Sequence, residues 1–329
     1  MTQASTRARK PAPAAARVPA FTEPELATLV DTPPEGERWI HETKYDGYRC
    51  LLAVGGREVV CYSRSGLDWT DKFASLVEPA RKLPVSSALI DGEAAVLDQN
   101  GVSSFSLLQD ALRTGAPVLY FAFDLLAQDG ANLRHLPLIE RKRRLREILG
   151  RGRGRLRFSV HIAGNGGEIL RQLCAAGFEG IVSKRKDSAY RSGRGRDWLK
   201  TKCGKRQEFV IGGWTASSRR RGFRSLLLGY FERGRLKYAG RVGTGFDADT
   251  LAELSARLER LKTRRCPFDD VPRSVARTAH WVRPTLVAEI AFAGFTGDGI
   301  VRHGSFIGLR ADKLAKAVTK ELPRDAARR

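Results

Sequence analysis

The stretch WIHETKYDGYRCLLAVGGREVVCYSR, residues 39–64, sets the fold class. Its β-branched and aromatic runs are broken by Asp46-Gly47 and Gly55-Gly56, dipeptides suited to tight turns, so it reads as antiparallel hairpins. Lys44 then stands where a strand ends, at the rim of a sheet that a substrate can reach. Working outward, FASLVEPARKL reads as a helix, ALIDGEAAVLD and VLYFAFDLL as strands, and FSLLQDALR as a helix between them. Strands and helices mixed in this way predict an α+β domain.

Further along, the Arg-rich helix RKRRLREIL stops at Gly150 and opens into GRGRGR, which reads as a mobile loop. The helix GGEILRQLCAAG precedes the strands EGIVSKR and DWLKTK. Around Cys203-Gly204-Lys205-Arg206 the character changes to short strands, EFVIGGWT, SLLLGYF, LKYAGRV and VAEIAFAGF. Before the last of these, Asp247 is placed to N-cap ADTLAELSARLERLK, with Phe246 as its hydrophobic staple. Short strands with one inserted helix predict a five-stranded OB-type barrel, a fold that often binds oligonucleotides. The expected division is a flexible basic tail over 1–21, an α+β domain over 22–204, a barrel over 205–322 and a tail over 323–329.

Composition narrows the partner. Against 36 acidic residues stand 58 Lys and Arg, leaving +22 at pH 7, which favours a polyanion and places nucleic acid ahead of a membrane surface. Much of the excess is spread through ERKRRLREILGRGRGRLR and SSRRRGFR, read as tracks of phosphate contact. No apolar run is long enough for a membrane span, and the first 20 residues lack the apolar core of a secretory signal. The five scattered cysteines form no CxxC pair, so reduced thiols in a cytoplasmic protein are expected.

By itself Lys44-Tyr45-Asp46-Gly47 is better explained as a solvated lysine beside a turn. Lys200 and Lys202, two apart on an expected strand, share one face with Trp198, a pattern that favours phosphate contact over a solvated edge. Phe121 and Phe123 also share a face, ordinarily a core pattern.

Together with Arg49, Lys44-Tyr45-Asp46-Gly47 resembles the first motif of the covalent nucleotidyltransferases: the ATP-dependent DNA ligases and their RNA ligase and capping relatives. In family order follow Tyr62-Ser63-Arg64-Ser65-Gly66, Ile90-Asp91-Gly92-Glu93, Phe121-Ala122-Phe123-Asp124, Glu179-Gly180-Ile181-Val182 and Asp197-Trp198-Leu199-Lys200-Thr201-Lys202. The sixth motif is resembled by Phe306-Ile307-Gly308-Leu309-Arg310-Ala311-Asp312-Lys313. Trp281-Val282-Arg283-Pro284 and Arg302-His303-Gly304-Ser305-Phe306 resemble the barrel of bacterial ligase D modules, with Gly304 where proline is expected.

The resemblance implies a nucleotidyltransferase domain of ATP-grasp-like antiparallel sheets with helices, followed by an all-β OB barrel. It also implies an ATP-dependent DNA ligase that seals nicks in repair or recombination. Lys44 would attack the α-phosphate of ATP, Lys200 and Lys202 would hold that phosphate, and their charge would depress the Lys44 pKa from its usual value of about 10.4. Glu42 would lie near adenine and Phe123 would stack on it. Arg49 and Arg64 would contact ribose and the phosphates of the nick. Glu179 would bind Mg²⁺, with Mn²⁺ as an alternative, and Glu93 would contact ribose or the metal. Arg310, Asp312 and Lys313 would orient pyrophosphate after domain closure. The implied partners are nicked duplex DNA, then Ku and separate polymerase or phosphoesterase proteins, met by a monomer. An RNA ligase, a capping enzyme, or a nucleic-acid-binding OB protein without catalysis are the other readings.

Overall fold

The computed structural model describes residues 17–150, 154–216 and 222–323. Most of the expected basic tail, the centre of the Gly/Arg loop, the Arg219–Arg221 cluster and the tail beyond residue 323 lie outside the described residues.

Two sheets build the first part of the chain. One is five-stranded, in the order Glu25–Leu29, Gly193–Lys202, Gly180–Arg185, Trp39–Thr43, His161–Ile162. The other is six-stranded, running Glu58–Ser63, Tyr48–Gly55, Ser87–Ala95, Leu119–Gln128, Ala131–Asn132, with Leu156–Phe158 also paired to Leu119–Gln128. Pairing is antiparallel except for two parallel pairs, Glu25–Leu29 on Gly193–Lys202 and Leu156–Phe158 on Leu119–Gln128. Leu51, Ala53, Leu89, Phe123, Leu126, Tyr190 and Trp198 fill the layer between the sheets. Helices Ala74–Arg81, Phe105–Thr114 and Leu138–Leu149 cover the outer face of the second sheet through Leu76, Ala80, Phe105, Leu108, Leu145 and Ile148.

The expected hairpin at Gly55-Gly56 forms, with Tyr48–Gly55 laddered to Glu58–Ser63. The one at Asp46-Gly47 does not. Trp39–Thr43 pairs instead with Gly180–Arg185 and His161–Ile162, so the chain steps from one sheet to the other across Lys44–Gly47. Gly47 is required there by proximity rather than by a turn: a Cβ on it would stand 2.2 Å from the Ala94 carbonyl oxygen.

The Arg-rich helix also departs from its surface reading. Arg141 and Lys142 are buried with Leu138, Leu145 and Ile148. Arg141 donates to both oxygens of Asp124 at 2.7 and 2.8 Å, and Lys142 donates to Glu42 at 2.8 Å. A buried charge persists only when paired in this way.

Beyond Lys202 the chain forms a seven-stranded sheet around the long strand Lys205–Ala216. This strand pairs with Phe223–Glu232 on one side and, in succession, with Val287–Phe292 and Ala279–Val282 on the other. Asp247 caps the helix Ala248–Arg260 by accepting from the Thr250 N–H at 2.7 Å, and Phe246 packs on Phe223 and Phe306. The expected five-stranded barrel is thus a larger curled sheet. Among the described residues no ladder closes its edges, Arg235–Val242 and Ser305–Leu309; a Phe306 N–H to Thr244 carbonyl hydrogen bond of 2.9 Å links them.

Cys174, at the end of helix Gly166–Ala175, is disulfide-bonded to Cys203, which corrects the expectation of reduced thiols for that pair. The helix packs beside the strand Gly180–Arg185, and this brings the two Cα atoms within 5.3 Å across 29 residues. No described helix is long and apolar enough to cross a membrane.

Candidate active site

The step between sheets leaves Lys44 facing a cavity rather than lying in a ladder. Its N–H donates to the Gly180 carbonyl at 2.9 Å, and its Nζ meets Glu179 Oε2 at 2.6 Å. A Cβ on Gly180 would stand 2.1 Å from the Thr201 carbonyl oxygen, and φ is +151° there, so glycine lets this strand close on its neighbour beside the ion pair. Burial opposes the Lys44 charge, but Glu179 outweighs it and raises the amine above the ordinary lysine range. This reverses the expected depression by Lys200 and Lys202. In this state Lys44 is an ammonium, and it becomes a nucleophile only when released from Glu179 and deprotonated.

Eight acidic and eight basic side chains line the cavity, so its positive groups are largely answered from within. Lys200 and Lys202 project into it from one face of Gly193–Lys202, with Trp198 below them. Lys200 pairs with Glu321 at 2.7 Å; Lys202 donates to the Arg206 carbonyl at 2.7 Å and lies 4.0 Å from Glu179. Burial pushes Lys200 down to about 8. Arg64 lines the cavity with no ion-pair partner among the described residues, an open seat for an anion.

Glu93 also lines it, its side chain without a hydrogen bond among the described residues, and burial pushes its carboxyl up to about 7. Arg49 is more committed than its motif implied. It donates to both Asp91 oxygens at 2.5 and 2.6 Å and to the Glu25 carbonyl, with its guanidinium 4.6 Å from the Phe123 ring centre.

At the back, Glu42 is buried among Lys142 at 2.8 Å, Lys184 at 3.1 Å and Ser159 at 2.9 Å. Burial resists its ionisation, yet the two lysines hold its pKa below the usual value. Phe123 lies beside it, with Lys184 Nζ 4.2 Å from its ring centre. Phe121 instead stacks on Tyr45 at 4.0 Å.

This chain matches the model of the ATP dependent DNA ligase domain over residues 24–202 and that of the ATP dependent DNA ligase C terminal region over 219–313. It belongs to the ATP-dependent DNA ligase family. Among curated relatives, the multifunctional non-homologous end joining protein LigD of Pseudomonas aeruginosa is 42% identical over 314 residues, 93% of this chain and 37% of the relative. The LigD of Mycobacterium tuberculosis H37Rv is 39% identical over 291 residues, 87% of this chain and 38% of the relative. The chain thus spans little more than a third of these relatives. A solved mycobacterial DNA ligase D complexed with ATP and MES is 36% identical and superposes with a TM-score of 0.68, covering 91% of this chain and 98% of that one. In such ligases the architecture is a nucleotidyltransferase domain followed by an OB-fold domain.

In this ligase-family chain the sixth motif reaches the same cavity from the seven-stranded sheet. Arg310 pairs with Glu289 at 2.8 Å and with both Asp312 oxygens at 2.8 and 2.9 Å, and its guanidinium lies 4.8 Å from the Phe105 ring centre. Arg310 and Asp312 line the cavity; Lys313 does not, and pairs with Glu208 at 3.1 Å. Contacts across the two parts hold this arrangement: Tyr48 and Gln109 both donate to the Leu309 carbonyl, and Arg206 pairs with Asp46 at 2.9 Å.

Several groups that line the cavity or hold residues lining it carried no signal in the sequence. Asp91 lay inside a quoted motif but was passed over for Glu93, and Lys184 stood next to last in the strand EGIVSKR unremarked. Glu321, Glu289 and Lys142 belong to no motif. Their significance is set by partners roughly 20 to 140 residues away along the chain.

Proposed function

We propose that this chain seals nicks in duplex DNA using ATP through a lysyl-AMP intermediate. Lys44 Nζ attacks the α-phosphorus of ATP, forming a P–N bond as pyrophosphate leaves. AMP then passes to the 5′-phosphate of the nick, and the 3′-hydroxyl attacks that phosphate and expels AMP. The observation that carries this reading is the convergence of Lys44, Lys200 and Lys202 on one cavity, which Arg310, just past the strand Ser305–Leu309, also lines. The cationic lining would steady charge on the transferring phosphate.

In this reading Lys200 and Lys202 hold the α-phosphate, Arg64 a further phosphate, and Arg310 with Asp312 the departing pyrophosphate. Lys313 serves closure through Glu208. Phe123 and Glu42 receive adenine, while Arg49 orders the Phe123 wall. Glu93 and Glu179 fit Mg²⁺, with Mn²⁺ an alternative: both are oxygen donors, Glu93 is unpartnered, and no cage of three or more ligating side chains is gathered among the described residues, as suits an ion that keeps its waters. When bound, such an ion would supply charge neutralisation at the phosphates.

We place the functional division at 22–204 and 205–322, supported by the change to the long central strand at Lys205. The names of the longer relatives, non-homologous end joining proteins, support a place in end-joining repair of DNA. We place that activity in the cytoplasm and assign it to a monomer, with Ku and separate polymerase or phosphoesterase proteins as partners.

Purified protein given a singly nicked duplex should seal it with ATP and not with NAD⁺, and should seal nicked DNA faster than nicked RNA. Sealing of RNA alone, or labelling by GTP in preference to ATP, would favour the RNA ligase or capping reading instead.

A further inference from the structure

The lysine pair that the proposed function assigns to the α-phosphate already holds an anion supplied by the chain itself. Glu321 follows the sixth motif, in an irregular segment that runs back to the cavity from the seven-stranded sheet. One of its oxygens meets Lys200 at 2.7 Å, and the other lies 3.7 Å from Lys202.

The segment is clamped upstream and lightly held at its tip. Val318 is fully buried, and its carbonyl accepts from the Phe231 N–H at 2.7 Å. Gln207 then accepts from the Glu321 N–H at 2.9 Å and donates to the Thr319 carbonyl at 3.3 Å. The second Glu321 oxygen is buried with no hydrogen-bond partner, so the carboxylate fills the seat without satisfying it. The α-phosphate of ATP, with two non-bridging oxygens sharing one negative charge, matches the carboxylate in charge and can meet both ammonium groups. Most other acids lining the cavity are fixed in strands or beside them; Glu321 is carried on an irregular segment, its backbone N–H held by Gln207.

We propose that Glu321 is a built-in competitor for the nucleotide: its carboxylate occupies the phosphate seat on Lys200 and Lys202 and must leave before ATP is held there. The inference rests on the assignment of those lysines to phosphate.

The test uses the intact protein at pH 7 and α,β-methylene-ATP, whose α–β bridge is not cleaved in adenylylation. Glu321→Gln keeps the shape and the N–H to Gln207 but removes the charge. It should bind the analogue roughly ten-fold more tightly, the factor expected when a competing state fills the site about nine-tenths of the time. In the unsubstituted protein, saturating analogue should accelerate hydrogen exchange at the Glu321 amide as the Gln207 bond opens. Unchanged or weaker binding by Glu321→Gln, or a Glu321 amide equally protected with the analogue bound, would overturn the proposal. If the unsubstituted protein neither binds the analogue nor takes label from α-labelled ATP, the ligase reading fails first; if it does both, a failure belongs to Glu321 alone.

Discussion

Replacing Lys44 by alanine is expected to abolish transfer of AMP from α-labelled ATP to the protein, lowering the rate by a factor on the order of 10⁴ or more, because the group that bonds to phosphorus is gone. Lys44→Arg sharpens the result. Arginine keeps a cation against Glu179, 2.6 Å from the present amine, so the buried carboxylate is not left unpaired. Yet the guanidinium stays protonated at any working pH and cannot attack. Both variants should remain unlabelled on a gel that shows labelled unsubstituted protein, while Lys44→Arg keeps its melting temperature. Label retained by Lys44→Ala would move the nucleophile elsewhere.

The largest effect on stability is expected from Asp124→Ala. Arg141 is fully buried, and both oxygens of Asp124 answer its guanidinium; its remaining donors go to the Leu136 and Ser188 carbonyls. Removing the carboxylate strands a charge in the interior and frees the helix Leu138–Leu149 from the sheet, at a cost of about 3–5 kcal/mol. Denaturant unfolding followed by circular dichroism would measure it. The double variant Asp124→Leu with Arg141→Met should recover most of the loss, since a buried pair replaced by apolar groups is often neutral. A loss below about 1 kcal/mol in Asp124→Ala would mean that Arg141 finds water or another acid.

What the sequence made legible follows from the range of the signals. Periodicity of two placed Lys200, Lys202 and Trp198 on one face, and all three line the cavity. The cap at Asp247 and the stop at Gly150 were equally local. Asp46-Gly47 misled because a turn dipeptide and a step between sheets look alike in sequence; only the Ala94 carbonyl packed against Gly47 tells them apart. In the Arg-rich helix, Arg141 and Lys142 fall on the same buried stripe as Leu138, Leu145 and Ile148. Reading them as surface charge was natural, because the acids that neutralise them lie 17 and 100 residues away along the chain. The Cys174–Cys203 bond was hidden for the same reason, having no spacing rule to announce it.

These corrections bear on chemistry. With Arg141 and Lys142 turned inward, the helix supports the back of the cavity, through Glu42, and offers fewer exposed cations than its composition implied. The Lys44–Glu179 pair makes activation a matter of releasing an ammonium rather than of lysine crowding.

Lys44 is the residue expected to carry AMP. The most direct measurement is to incubate the protein with ATP, digest it under conditions that preserve a phosphoramidate, and locate the adduct by mass spectrometry. A single AMP on the peptide containing Lys44, lost on mild acid treatment, is the predicted result; AMP on Lys200 or Lys202 with Lys44 unmodified would contradict it.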